Sequence, residues 1–364
     1  MTRFALVVGH LFRRGNHLPR VVIGKDTRRS GYMVEPALTS GFISSGMDVF
    51  LLGPMPTPAT AMLTKSLRAD LGVMISASHN PHHDNGLKLF THDGCKISTS
   101  LEERIEELMN SGEFDHAPPE RLGRAKRLDD VRGRYIEVAK NSFPSDLNLE
   151  TLKIVVDCAH GAAYHIAPDI FFELGADVTA LGVEPDGFNI NEGVGSTAPR
   201  EFCNRVCETW ADVGIALDGD ADRLIMCDHT GTIVNGDKLI AIIAKYWQEH
   251  GLLKGPVITT VMSNLGLEKF LRDQEITMHR TDVGDRNVAE FLRKHESNLG
   301  GEQSGHIILN DYATTGDGII AALQVLAVMR REKRSLQDLA NIYKEVPQNI
   351  CNIPLPSHEA QLDA

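Results

Sequence analysis

Short apolar runs alternate along this chain with longer stretches whose apolar residues recur at helical spacing. Runs at Arg20–Gly24, Asp48–Leu52 and Ala69–Ile75 predict strands, and Pro36–Ser45 and Pro58–Leu67 between them predict helices. A polar segment, Asn110–Arg127, holds Pro118-Pro119 and reads as a surface excursion. A helix over Asp129–Asn141 then leads into a linker at Phe143-Pro144-Ser145-Asp146. A second unit opens on the strand Lys153–Asp157, contains the buried strand Val213–Leu217 and ends near His250. A third opens at the strand Pro256–Val261 and closes with a long helix, Asp317–Arg331. Strands alternating with helices signify α/β layers around largely parallel sheets. The expected fold class is therefore α/β, with three consecutive mixed α/β domains at residues 1–146, 147–250 and 251–350. A tail at 351–364 follows, in which Pro354–Ala360 reads as loop.

The apolar run Val213–Leu217 breaks straight into Asp218-Gly219-Asp220-Ala221-Asp222-Arg223. Carboxylates at alternate positions leave the strand end on one side. At an effective dielectric near 20, two unit charges ~4 Å apart repel by roughly 4 kcal/mol, so the cluster needs a cation. All-oxygen ligation favours Mg²⁺, Mn²⁺ or Ca²⁺ over zinc. An EF-hand loop is excluded, because its required Gly and Glu would here be Arg223 and His229. An aspartyl-phosphate phosphotransferase fits Asp218 and Asp220 locally but leaves Asp222 and Arg223 without a role.

A second strand breaks into Ser76-Ala77-Ser78-His79-Asn80-Pro81. Pro81 keeps Asn80 out of the helical region, so Ser78 and His79 stand on an ordered corner. Downstream, Asp84-Asn85-Gly86 turns into Leu87-Lys88-Leu89-Phe90. Apolar neighbours there are expected to lower the Lys88 pKa toward proton transfer, with a solvent-facing strand lysine as the alternative. Finally, Gly300-Gly301-Glu302-Gln303-Ser304-Gly305-His306 sets a carboxylate, a hydroxyl and an imidazole among glycines, groups able to bind adjacent sugar hydroxyls.

In that order, Ser76–Pro81, Asp218–Arg223 and Gly301–His306 make the chain similar to the α-D-phosphohexomutase superfamily. The similarity extends through Gly24–Gly31, Pro56-Thr57-Pro58, Gly187–Asn191, Val283-Gly284-Asp285-Arg286 and Thr314–Gly318, covering nearly the whole chain. The Ile-Ser-Ala-Ser-His-Asn-Pro, Glu-Gln-Ser and Val-Gly-Asp-Arg forms resemble the bacterial glucosamine-phosphate branch more than the mannose/glucose relatives.

The resemblance implies that Ser78 carries an exchangeable phosphate, loaded from a sugar 1,6-bisphosphate. It implies one Mg²⁺ per chain, held by Asp218, Asp220, Asp222 and a phosphoserine oxygen of Ser78. Arg28 and Arg223 would neutralise the transferring group, Lys88 and His306 would move protons, and Glu302 with Ser304 would hold ring hydroxyls. His79 is a catalytic candidate, with a structural turn role as the alternative. The implied reaction interconverts glucosamine 6-phosphate and glucosamine 1-phosphate through a 1,6-bisphosphate, toward UDP-N-acetylglucosamine and cell-wall precursors. Phosphomannomutase/phosphoglucomutase activity, or a non-catalytic phosphoprotein remnant, are the alternatives.

Composition narrows the partners. A net charge of −12 argues against nucleic acid, while local Arg and Lys can still bind a small phosphosugar. No apolar run approaches the ~18 residues of a membrane span, and Phe4–Val8 is too short for a signal peptide. A cytoplasmic enzyme is expected, with a homodimer left open. Six cysteines without a Cys-x-x-Cys pair read as reduced thiols, and Cys203 with Cys207 lacks a second ligand pair for zinc. The superfamily's Gly-Thr-Asp-Gly-Ile-Arg-Gly-like opening and its Arg-x-Ser-Gly-Thr-Glu-Pro loop have no counterpart in this sequence. The expectation is a chain without the fourth domain and with impaired activity.

Overall fold

The apolar runs become the central strands of three separate sheets in a computed structural model, which describes residues 1–13 and 17–349. The tail expected at 351–364, with its loop at Pro354–Ala360, lies outside the described residues.

The first unit runs α1 (Thr2–Phe12), β1 (Arg20–Lys25), α2 (Gly31–Ser45), β2 (Asp48–Pro54), α3 (Thr57–Ser66), β3 (Leu71–Ile75), β4 (Leu87–Thr91), α4 (Thr99–Ser111), β5 (Ala125–Arg127) and α5 (Val131–Lys140). Its sheet order is β4-β3-β1-β2-β5, parallel except for the β3–β4 pair. All five residues of β3 are buried, as a strand covered on both faces requires. Two elements escape the hydrophobic pattern. Helix α1 buries Ala5–Gly9 against α2, with Gly41 so close that a Cβ there would stand 2.3 Å from the Thr2 carbonyl oxygen. Strand β5 lies inside the expected excursion; its residues are all exposed, and it joins the edge through backbone pairing with β2 alone. Helix α2 also starts before Pro36, because Val34, Leu38 and Phe42 form one buried face that extends across the proline.

The second unit comprises β6 (Lys153–Asp157), α6 (Ile166–Glu173), β7 (Asp177–Leu181), α7 (Arg200–Thr209), β8 (Val213–Leu217), β9 (Leu224–Asp228) and β10 (Ile233–Val234), in the order β10-β9-β8-β6-β7. The third holds α8 (Gly236–Glu249), β11 (Val257–Thr260), α9 (Leu265–Asp273), β12 (Met278–Thr281), α10 (Asp285–Lys294), β13 (Leu299–Gly301), β14 (Ile307–Leu309), α11 (Gly318–Glu332) and α12 (Leu336–Ala340), around the sheet β12-β11-β13-β14. Helix α8 packs on α9, α11, α12 and β13, so the segment before His250, where the second unit was expected to end, instead opens the third. Helix α11 is buried from Gly318 through Met329, the pattern of a helix enclosed on all sides. It touches β8 and β9 as well as β14, which ties the second and third units into one core.

Candidate active site

Parallel sheets place their functional loops at the carboxyl ends of their strands. Here those ends converge: Asp26–Arg28 follow β1, Ser76–Asp84 follow β3, and Asp218–Arg223 follow β8. The turn Glu302–His306 joins β13 to β14. Backbone bonds lock the loops together, from Thr57 N to Asp220 O at 2.9 Å, Gly318 N to Ala221 O at 3.1 Å and Leu224 N to Gly305 O at 2.9 Å. Gly305 (φ +93°) permits this, since a Cβ there would lie 2.0 Å from the Leu224 carbonyl oxygen.

Ser78 occupies the left-handed region, φ 52°, which is uncommon for a residue with a Cβ. Its amide donates to Ser76 Oγ at 2.9 Å, and its hydroxyl donates to Asp218 Oδ2 at 2.5 Å. Arg28 holds the surrounding loop. Its Nε donates to Asp26 Oδ2 at 2.8 Å, its Nη2 to the carbonyls of Ser78 at 2.9 Å and Asn80 at 2.8 Å, and its Nη1 to those of Asp84 at 3.1 Å and Pro81. A guanidinium has five N–H donors, and these contacts use all of them. Arg28 is fully buried. This corrects the role expected for it: Arg28 braces the serine loop and has no donor left for a transferring phosphoryl. Asn191 adds a second brace, its Nδ2 donating to the same Ser78 and Asn80 carbonyls at 3.0 Å each.

Asp218, Asp220 and Asp222 are buried, with carboxylate oxygens within 4.8 Å of one another. Asp220 Oδ1 has no hydrogen-bond partner and Asp222 Oδ1 faces His306 Nδ1 at 3.6 Å, so the cluster keeps a buried acceptor for a cation. Thr57 donates its hydroxyl to Asp220 Oδ2. Burial, then the charges of Asp222 and Asp220, push Asp218 up to about 8. Burial also opposes ionised Asp222, but Lys88 and His306 outweigh it and hold that carboxyl well below the usual range.

Lys88 departs from expectation. Its Nζ donates to Asp220 Oδ2 at 2.6 Å and to Asp222 Oδ2 at 2.7 Å. Burial alone would lower its pKa, but these two carboxylates outweigh burial and raise it. Burial is the largest single influence, but the contributions of the acidic loop from another domain together overturn it. His79 sits 3.5 Å from Ser78 Oγ through Nδ1, and burial, then the Arg223 charge, lower its pKa. Arg223 donates its backbone N–H to Asp218 Oδ1 at 3.2 Å, while its Nε is buried without a partner.

His306 stands between two carboxylates, Nδ1 at 3.6 Å from Asp222 and Nε2 at 3.5 Å from Asp285. Burial lowers its pKa, but Asp222 and Asp285 outweigh burial and raise it. His306 Nε2 also accepts the Gly316 backbone N–H at 3.2 Å. Glu302 Oε1 accepts the Gly284 amide at 3.1 Å, and Ser304 is exposed on the same turn. Asp26, Thr57, Asn191, Lys96 and Asp285 were not singled out from the sequence. Each acts through a partner in another segment, although all but Lys96 fall in or beside a family-like motif.

This arrangement, a strained serine on an acidic cluster between three α/β sheets, defines a phosphoryl-transfer enzyme class, and sequence comparison agrees. Three family models match, described as phosphoglucomutase/phosphomannomutase alpha/beta/alpha domain I at residues 1–116, domain II at 133–231 and domain III at 235–346. The chain belongs to the phosphoglucomutase/phosphomannomutase family. Among its relatives, the phosphoglucosamine mutase of Parvibaculum lavamentivorans is 56% identical over 353 residues, 96% of this chain and 79% of the relative. That of Granulibacter bethesdensis is 58% identical over 355 residues, 96% of this chain and 77% of the relative. A crystal structure of a phosphoglucomutase/phosphomannomutase family protein from Burkholderia thailandensis superposes with a TM-score of 0.84 at 25% identity, covering 95% of this chain and 76% of the other. No helix among the described residues is long and apolar enough to cross a membrane.

Proposed function

We propose that this chain is an isomerase interconverting glucosamine 6-phosphate and glucosamine 1-phosphate, the activity its relatives are named for. The product suits synthesis of UDP-N-acetylglucosamine for cell-wall precursors. The observation that carries the reading is Ser78, its hydroxyl 2.5 Å from Asp218 on a loop braced by the buried Arg28 and by Asn191 of the second unit. A phosphoryl group on Ser78 would pass to the sugar hydroxyl and a second would return from the resulting bisphosphate. The partly buried Arg223, whose charge acts on both His79 and Asp218, would offset the transferring charge. Glu302 and Ser304 would orient ring hydroxyls. His306 would hold or release a proton at Nδ1, which faces Asp222, while its Nε2 accepts the Gly316 N–H at 3.2 Å.

Asp218, Asp220 and Asp222 fit a divalent cation, since their oxygens lie within 4.8 Å of one another and the buried Asp220 Oδ1 has no hydrogen-bond partner. Mg²⁺ bound there would supply charge for stabilising the phosphoryl in transfer. Because Asp218 is held up at about 8, binding must release its proton. Affinity for Mg²⁺ should rise by about tenfold per pH unit below pH 8 and level off above it. Calorimetry between pH 6 and about 9 checks this, and Asp220→Asn should remove binding while the fold remains. A flat pH profile would refute the proton release.

The test of the function is a coupled assay with glucosamine 6-phosphate, glucose 6-phosphate and mannose 6-phosphate as rival substrates. The amino sugar should be preferred by about 100-fold in kcat/KM. Equal or better turnover of a neutral hexose phosphate would move the assignment to phosphoglucomutase/phosphomannomutase.

A further inference from the structure

The serine loop belongs to the first unit and the sugar-binding turn to the third, yet few backbone bonds join those units directly. Side chains do so instead: Arg331 with Asp146, Tyr135 with Asp317 and Gln324 with Ser142 along α11, and two crossed ion pairs beside the sugar-binding turn. Lys96, ahead of α4, pairs with Asp285, and Glu102, in the first turn of α4, pairs with Arg286. The latter pair is two-pronged, Arg286 Nη1 donating to Glu102 Oε2 at 2.7 Å and Nη2 donating to Oε1. Arg286 Nη1 also reaches Thr99 Oγ1 at 3.3 Å, and Thr314 Oγ1 donates to the Gly94 carbonyl at 2.5 Å.

Asp285 and Arg286 open α10, and Gly284 before them donates its amide to Glu302. The contact thus runs from α4 through Arg286 and Gly284 to the carboxylate assigned to the sugar. We propose that Glu102 and Arg286 are positioning residues that set the sugar-binding turn at working distance from Ser78. This rests on the mutase reading above. Two-pronged guanidinium–carboxylate pairs fix direction as well as distance. The Arg286 and Glu102 side chains are 30% and 40% exposed, and pairs so exposed add little global stability. Their loss should therefore appear in substrate use and leave thermal unfolding nearly unchanged.

The experiment measures phosphorylation of Ser78 by glucosamine 1,6-bisphosphate, with melting temperature alongside. Glu102→Ala and Arg286→Ala should each raise the half-saturating concentration by about tenfold with melting nearly unchanged, since small misplacements are costly. Arg286→Lys should recover only part of the loss. The exchanged pair, Glu102→Arg with Arg286→Glu, should recover most of it. Unchanged saturation in both alanine variants, or no recovery in the exchanged pair, overturns the proposal. If the unsubstituted chain takes no phosphate, the mutase reading fails, and amide hydrogen exchange decides the positioning role by itself. Arg286→Ala should then speed exchange at residues 284–288 and 302–305, and unchanged exchange there refutes it.

Discussion

Alanine in place of Ser78 should abolish phosphoryl transfer, lowering turnover by at least about four orders of magnitude. The hydroxyl is the group aimed at Asp218, and the serine's φ of 52° is maintained by braces outside the residue itself. Alanine should keep the same backbone, so stability should change by less than about 1 kcal/mol. A labelled sugar bisphosphate should leave an acid-stable, hydroxylamine-resistant label on the unsubstituted chain and none on the variant. A hydroxylamine-sensitive label persisting in Ser78→Ala, and mapping to Asp218, would instead make the enzyme an aspartyl-phosphate phosphotransferase.

The strands that end in chemistry were legible because burial on both faces leaves an uninterrupted apolar run. Val213–Leu217 and Leu71–Ile75 are fully buried and stop where the polar motifs begin. Elements built on other forces were hidden. Strand β5 has no buried residue, and α1 shows its apolar face only once α2 is beside it. At the site, the sequence brought out residues whose chemistry is local and misread those whose surroundings are assembled from several domains. Lys88 looked apolar-flanked along β4, yet its charge is set by Asp220 and Asp222, more than 130 residues away. Linear spacing carries no signal for such a pairing. Asp285 is similar: its Val-Gly-Asp-Arg motif marked family membership, while its contact with His306 exists only in three dimensions.

Arg28 separates the two accounts most sharply. If it neutralised the transferring phosphoryl, Arg28→Ala would lower turnover and leave stability nearly intact. The geometry predicts otherwise. Removing the guanidinium takes the Arg28 donor from the Asp84 carbonyl, leaves the carbonyls of Ser78 and Asn80 to Asn191 and that of Pro81 to the Asp84 amide, and deprives Asp26 of its cation. Burial already pushes the Asp26 carboxyl up despite Arg28, and losing that charge should push it further. Breaking a buried pair of this kind costs about 3–5 kcal/mol. Arg28→Ala should therefore unfold at clearly lower denaturant and fail to label Ser78. Arg28→Lys keeps the charge but offers three donors where five are used. It should restore part of the stability and little of the labelling, because the serine loop would no longer be held at both Ser78 and Pro81. Denaturant midpoints and labelling rates measured on the same preparations distinguish the cases. Lost labelling with an unchanged midpoint in Arg28→Ala would return this arginine to the transferring phosphoryl and remove it from the loop.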